Sequence, residues 1–170
     1  MAIGDDLTKF VGDTFPNLLA TDGCITSAND YFNNCFAWAA GDKENRWQIG
    51  PPHVWFTAST AETLENYIEN YGYVGFEETD TPEFEEGFEK VAIYVDEDGE
   101  PLHAARLMEN GNWTSKLGEL EDTEHQTLEC LECDDYGTAK AFLKRPRGNP
   151  EKWIKTAMEK HLKNLKGLQN

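Results

Sequence analysis

A cysteine sits inside Tyr31-Phe-Asn-Asn-Cys35-Phe-Ala-Trp-Ala-Ala40, and a histidine follows much later in Pro101-Leu-His103-Ala-Ala-Arg106. These residue types in this order suit acyl transfer by a thiol. A cysteine at a helix start feels the positive end of the helix dipole, which favours thiolate over thiol. A histidine from a later strand can then act as the base that keeps the sulfur ionised. Cys35 is therefore the candidate nucleophile and His103 the candidate base. Cys24 is the competing thiol, but its Gly-Cys-Ile-Thr context has no helix start. His53, beside Trp55, is the competing histidine and is placed with Trp38 along a substrate cleft. His161 falls in the basic C-terminal stretch, outside the site.

The elements that must position these residues are legible from pattern. Asn33 or Asn34 can cap a helix through Cys35, and Gly41 suits its end. Ser59-Thr-Ala-Glu62 has the form of a capping box, with Leu64, Tyr67, Ile68 and Tyr71 following at helical spacing up to Gly72. Leu7 to Leu19 is loosely helical but broken by Pro16. Residues 75–89 are acidic without periodicity and read as a surface loop. Val91–Val95, Leu102–Met108 and Trp113–Leu117 read as strands, with turns at Asp96–Gly99 and Asn110-Gly111. A short helix is expected near 123–131 and a fourth strand over Tyr136–Leu143. Asn149-Pro150-Glu151 opens a C-terminal amphipathic helix rich in lysine.

The chain has 170 residues, 39% of them hydrophobic, with 9 Phe, 5 Trp and 6 Tyr, enough for one domain with a real core. The expected division is a body over 1–148 and a basic helix over 149–170 that packs on it. Net charge is −17 and unevenly spread: residues 1–139 hold 6 Lys and Arg against 30 Asp and Glu, whereas residues 140–170 hold 9 against 2. An acidic body repels phosphate backbones, which argues against nucleic-acid binding, and it suits cationic peptide partners. No apolar run reaches membrane-span length, and the N-terminus lacks the blocks of a secretory signal, so a cytoplasmic protein is expected. Cys130-Leu-Glu-Cys133 has the spacing of half a zinc site, but no second pair completes it. No metal and no cofactor are expected.

Several segments together resemble a known group. Asn34-Cys35-Phe-Ala-Trp-Ala39, Lys90-Val-Ala-Ile-Tyr94, His103-Ala-Ala-Arg106, Gly111-Asn-Trp-Thr-Ser-Lys-Leu-Gly118, His125 and Tyr136-Gly137 resemble an uncharacterised bacterial papain-like domain family. More distantly they resemble the NlpC/P60 cysteine peptidases and amidases. The resemblance implies an α+β fold, with the cysteine at a helix N-terminus packed on a small antiparallel sheet. It implies cleavage of an amide by Cys, His and a third polar residue. Histidine is that third member in the resembling group, which points to His125, with Asp122 as second choice.

Hairpin register bears on the same question. A two-residue turn at Asn110-Gly111 pairs Glu109 with Asn112 and puts Thr114 and Lys116 on the His103 side of the sheet. A β-bulge would bring Ser115 there instead. For the oxyanion, the backbone N–H of Cys35 and a side-chain amide from Asn29, Asn33 or Asn34 are the candidate donors. The first functional reading is thus a thiol hydrolase or acyl-transferase acting on a peptide or protein amide. The second is a non-catalytic acidic binding protein, an inhibitor or nucleic-acid mimic, that keeps Cys35 as core.

Overall fold

The protein's computed structural model describes residues 24–25, 34–50, 53–116, 122–125, 127–132 and 136–168. The expected helix near 7–19, together with Asn29 and Asn33, lies outside them. Seven strands form one antiparallel sheet: β1 (Cys24–Ile25), β2 (Glu77–Thr79), β3 (Phe88–Val95), β4 (Pro101–Leu107), β5 (Trp113–Lys116), β6 (Asp122–His125) and β7 (Thr138–Pro146). Their order across the sheet is β1-β6-β5-β4-β3-β7-β2. Three helices accompany it: α1 (Cys35–Ala39), α2 (Leu64–Gly72) and α3 (Pro150–Leu168), with a 3-10 turn at Leu128–Leu131.

This β-rich architecture corrects the expected α+β papain-like fold. The acidic segment read as loop contributes β2 and the first residues of β3. The segment read as a helix around His125 is strand β6 followed by the 3-10 turn. The helix that opens at Cys35 has five residues, little more than one turn. Among the described residues no helix is long and apolar enough to cross a membrane.

Strand alternation sorts the central residues onto two faces. Val91, Ile93, Ala104, Ala141 and Leu143 face the main core, where they meet Phe36, Trp47, Tyr67 and Tyr71. α3 joins the same core through Ile154, Ala157 and Met158. Trp153 lies over Gly75, where an added Cβ would come within 2.8 Å of the indole. The second face carries Ala92, Tyr94, His103, Ala105, Leu107, Trp113, Ser115 and His125. Leu128 of the 3-10 turn reaches it, and its carbonyl accepts the Tyr94 hydroxyl at 2.5 Å.

Two local corrections have clear causes. α2 is capped by Thr63, whose side chain accepts from Asn66 N, and not by Ser59, whose hydroxyl closes a turn onto Ala61 N. The β4–β5 hairpin has a three-residue loop: Met108 N bonds Asn112 O at 2.8 Å and Gly111 N bonds Met108 O at 3.1 Å. Gly111, at φ +86°, takes the left-handed position that such a loop requires. Arg106 therefore pairs with Thr114 and Leu107 with Trp113. Relative to a two-residue turn, every β5 side chain changes face.

Candidate functional site

Cys35 is the first residue of α1, and Asn34 caps it by accepting from Ala37 N at 3.1 Å. Asn34 also accepts from Trp47 N at 3.2 Å and donates to Trp47 O at 2.7 Å. Its carbonyl oxygen and one amide N–H thus pin the Trp47 segment to α1. The thiol is buried among core residues. Burial pushes its pKa up to about 11, against weaker opposing effects from the backbone of Ala104 and Phe36 and the charge of Arg46. At pH 7 that leaves roughly one thiolate in 10⁴. A five-residue helix cannot offset such desolvation.

The sulfur packs by Ala104, and His103 is the next residue along β4. Adjacent strand residues point to opposite faces, so the sheet stands between the two groups. His103 is fully buried on the second face, stacked on Tyr136 with ring centroids 4.1 Å apart and edge-on to Tyr94 at 5.4 Å. Among the described residues neither ring nitrogen has a hydrogen-bond partner. Burial holds its pKa well below the usual imidazole value, and nearby His125 adds to this. The expected Cys35–His103 pair is therefore not brought together, and the reason is the alternation of β4.

The three-residue hairpin loop puts Ser115 on the His103 face. Ser115 Oγ lies 2.9 Å from His125 Nε2, and His125 Nδ1 lies 2.7 Å from Thr127 O. A carbonyl can only accept, so Nδ1 carries the proton and Nε2 accepts from the Ser115 hydroxyl. This wiring has the order of a nucleophile, a base and an orienting group. Yet Ser115 is 0% and His125 1% exposed. Burial pushes the His125 pKa down to about 4, against smaller upward effects of the Thr127 carbonyl and Glu124. A base of that strength, closed to solvent, is poorly matched to proton transfer at neutral pH. The pair acts as a satisfied polar tie between β5 and β6.

The remaining candidates are dispersed. Trp38 is half-buried on α1, and among the described residues its indole nitrogen has no partner. His53 is half-buried beside the Trp47–Val54 bridge. Asp122 contributes backbone to β6, paired with Lys116, and its side chain lies outside the described set. Among the described residues no group of three or more His, Cys, Asp or Glu could hold a metal ion.

The charged centre that sequence reasoning missed is Glu89–Arg145. Arg145 Nη2 meets Glu89 Oε2 at 2.7 Å with both side chains at most 2% exposed. The guanidinium also donates to Val74 O at 2.8 Å and Ala40 O at 3.1 Å, and lies over the Phe76 ring at 4.2 Å. One arginine thus ties the sheet to the ends of α1 and α2. Arg106 approaches the other Glu89 oxygen at 3.9 Å and keeps 25% side-chain exposure. The available signal was alternation: Glu89 precedes Val91 and Ile93 by two and four, and Arg145 follows Ala141 and Leu143 likewise.

A family model described as a domain of unknown function (DUF7689) matches residues 24–144. The chain belongs to the DUF7689 family. The match takes in six of the seven strands entire, α1, α2 and both histidines of the second face, and stops two residues before β7 ends, ahead of α3. No curated protein and no solved structure matches the chain.

Proposed function

We propose that this DUF7689 chain is a non-catalytic acidic binding module for a cationic peptide or protein. The observation that carries the reading is a group of exposed carboxylates outside any ion pair among the described residues, on α2 and along the β2 edge of the sheet. Glu62, Glu65 and Glu69 are exposed on and just before α2, Glu77 and Glu78 on edge strand β2, and Asp80, Glu83 and Glu86 in the loop that follows. α2 lies against β2, and Glu78, cross-strand from Leu143, is on the face that α2 covers, whereas Glu77, cross-strand from Lys144, is on the other. Among the described residues none of the eight joins an ion pair within 4 Å, whereas neighbouring Glu85 is taken by Lys90 and Lys144. Such a one-signed group steers cations at long range and weakens with salt. Two glutamates on a three-residue edge strand also guard against edge pairing, which explains their presence but not the six other carboxylates.

A hydrolase reading is less well supported, because the thiol is buried, protonated and cut off from His103 by the sheet. An oligolysine peptide titrated at 50 and 200 mM salt tests the binding reading. Affinity should fall at least about tenfold between the two salts. Combined Glu65→Lys, Glu69→Lys and Glu78→Lys should weaken binding by at least about tenfold at low salt, while Glu129→Lys on the 3-10 turn should stay within about twofold. Equal effects of both would reduce the group to net charge alone. Iodoacetamide supplies a second check. In the native protein Cys35 should react at least about 100-fold more slowly than after unfolding. Fast native alkylation would restore the thiol as a nucleophile.

A further inference from the structure

A cleft of about 750 Å³ opens between the loop after α1 and the first turns of α3. It contains none of Cys35, His103, Ser115 or His125. Its closed end is where Gly41, Arg106 and Pro150 converge: a Cβ on Gly41 would sit 2.7 Å from Pro150 Cβ and 3.4 Å from Arg106 Nη1. Ile154 and Met158 of α3 give it an apolar wall.

Over the whole lining the formal charges balance, Lys43, Arg106 and Lys155 against Asp42, Glu44 and Glu151, but they are unevenly placed. At the rim, exposed Lys43 and Lys155 stand against exposed Glu44 and Glu151. Asp42, also in the lining, is 2% exposed and its carboxylate is engaged by Asn45, by Glu44 N and by the Trp47 indole at 3.0 Å. At the floor, Glu89 is already neutralised by Arg145 at 2.7 Å, so Arg106 at 3.9 Å shares a spent carboxylate. Of the two guanidinium groups on Glu89, the one that solvent reaches is Arg106, at 25% side-chain exposure. Among the described residues no hydrogen bond ends on the Arg106 guanidinium. Its fork of donors matches a carboxylate in geometry. The first amides of α3 are already taken, Glu151 N by Asn149 Oδ1 at 3.0 Å and Lys152 N by Asn149 O at 3.2 Å. The helix terminus therefore contributes field and not direct bonds.

We infer that this cleft binds a small organic acid, with its carboxylate on Arg106 and its apolar body along Ile154 and Met158. The volume falls within the range of small-molecule sites, and an accessible guanidinium under an apolar wall selects an amphipathic anion. The site is independent of the acidic group, whose exposed carboxylates lie on α2, β2 and the following loop.

Hexanoate titrated into the ¹⁵N-labelled full chain tests this. Saturable shifts should appear at residues 41–45, 149–158 and the Arg106 Nε–H, with a dissociation constant on the order of 1 mM for so small a ligand. Hexanol, matched in chain length but uncharged, should bind at least about tenfold more weakly, and so should hexanoate to Arg106→Gln. Lys155→Glu, at the exposed rim, should weaken hexanoate about threefold without touching the core, which keeps the test alive if the Arg106 variant unfolds. Non-saturating shifts spread over the lysines of α3 would overturn the inference, as would wild-type hexanoate affinity in both variants. Inorganic phosphate displacing hexanoate with equal affinity would overturn the organic-acid assignment.

Discussion

On the helix-covered face of the sheet, Glu89 and Arg145 are buried and answer each other at 2.7 Å, with two backbone carbonyls accepting from the guanidinium Nη atoms. On the opposite face, one residue along β3, Lys90 is equally buried, but its ammonium runs out to Thr81 O at 3.3 Å and to the 42%-exposed side chain of Glu85 at 3.2 Å. The same pairing of opposite charges has two different physical meanings. The first pair is desolvated, so its members depend on each other. In the second only Glu85 reaches solvent, at 42% exposure, so water can hydrate its carboxylate when Lys90 is replaced. Both faces also bury uncharged titratable groups, His103 and His125 on the second and the Cys35 thiol on the first.

The largest expected effect separates the two pairs. Glu89→Gln keeps the volume but leaves a buried guanidinium without counter-charge, and should cost about 3–5 kcal/mol in urea unfolding. Lys90→Met should change stability by less than about 1 kcal/mol. Comparable losses in both would mean that Lys90 is as dependent on its partner as Arg145, and the contrast between faces would fail.

Titration gives the next effect, and it belongs to the second face. His125 has a folded pKa of about 4, below its unfolded value, and that of His103 is also depressed. The unfolded chain therefore binds more protons in this window. Stability is fully present above about pH 6.5 and is lost as pH falls toward 4, by on the order of 3 kcal/mol for His125 alone. Chemical unfolding at pH 7.0 and 4.5 should show this, and His125→Gln should flatten the slope. An unchanged slope would place the acid sensitivity among the carboxylates instead.

Much of the sheet was readable because its central strands combine β-branched and aromatic residues with sharp turns, as in Val91–Val95 before Asp96–Gly99. The α1 cap at Asn34 and the α3 start at Asn149-Pro150 were readable for a similar reason: capping chemistry is local. What escaped was set by tertiary partners. β2 is three residues long and exists through pairing with β7, so its acidic composition carried no strand signal. The hairpin loop is one residue longer than Asn110-Gly111 suggested, and that single residue decides whether Ser115 or Thr114 shares the His103 face. The thiol's fate was equally non-local. A cap and a cysteine are visible in sequence, but burial against Ala104 is not, and burial outweighs the helix terminus.

The smallest contrast lies within the second face, between its paired and unpaired polar groups. Ser115→Ala removes the donor to His125 Nε2 and strands a buried acceptor, at a cost of about 1–3 kcal/mol. His103→Leu removes a buried imidazole whose nitrogens bond nothing among the described residues, so the transfer penalty of that group disappears. Against this stands the lost stacking on Tyr136, worth about 0.5–1.5 kcal/mol. The balance should be neutral or stabilising by up to about 1 kcal/mol, opposite in sign to Ser115→Ala. Thermal unfolding of the two variants at pH 7 reads the difference directly. If His103→Leu instead destabilised the protein as much as Ser115→Ala, the imidazole would have to be earning its place through a hydrogen bond in solution. The second face would then be a connected polar network running from His103 to Ser115, not a single tie beside an isolated ring.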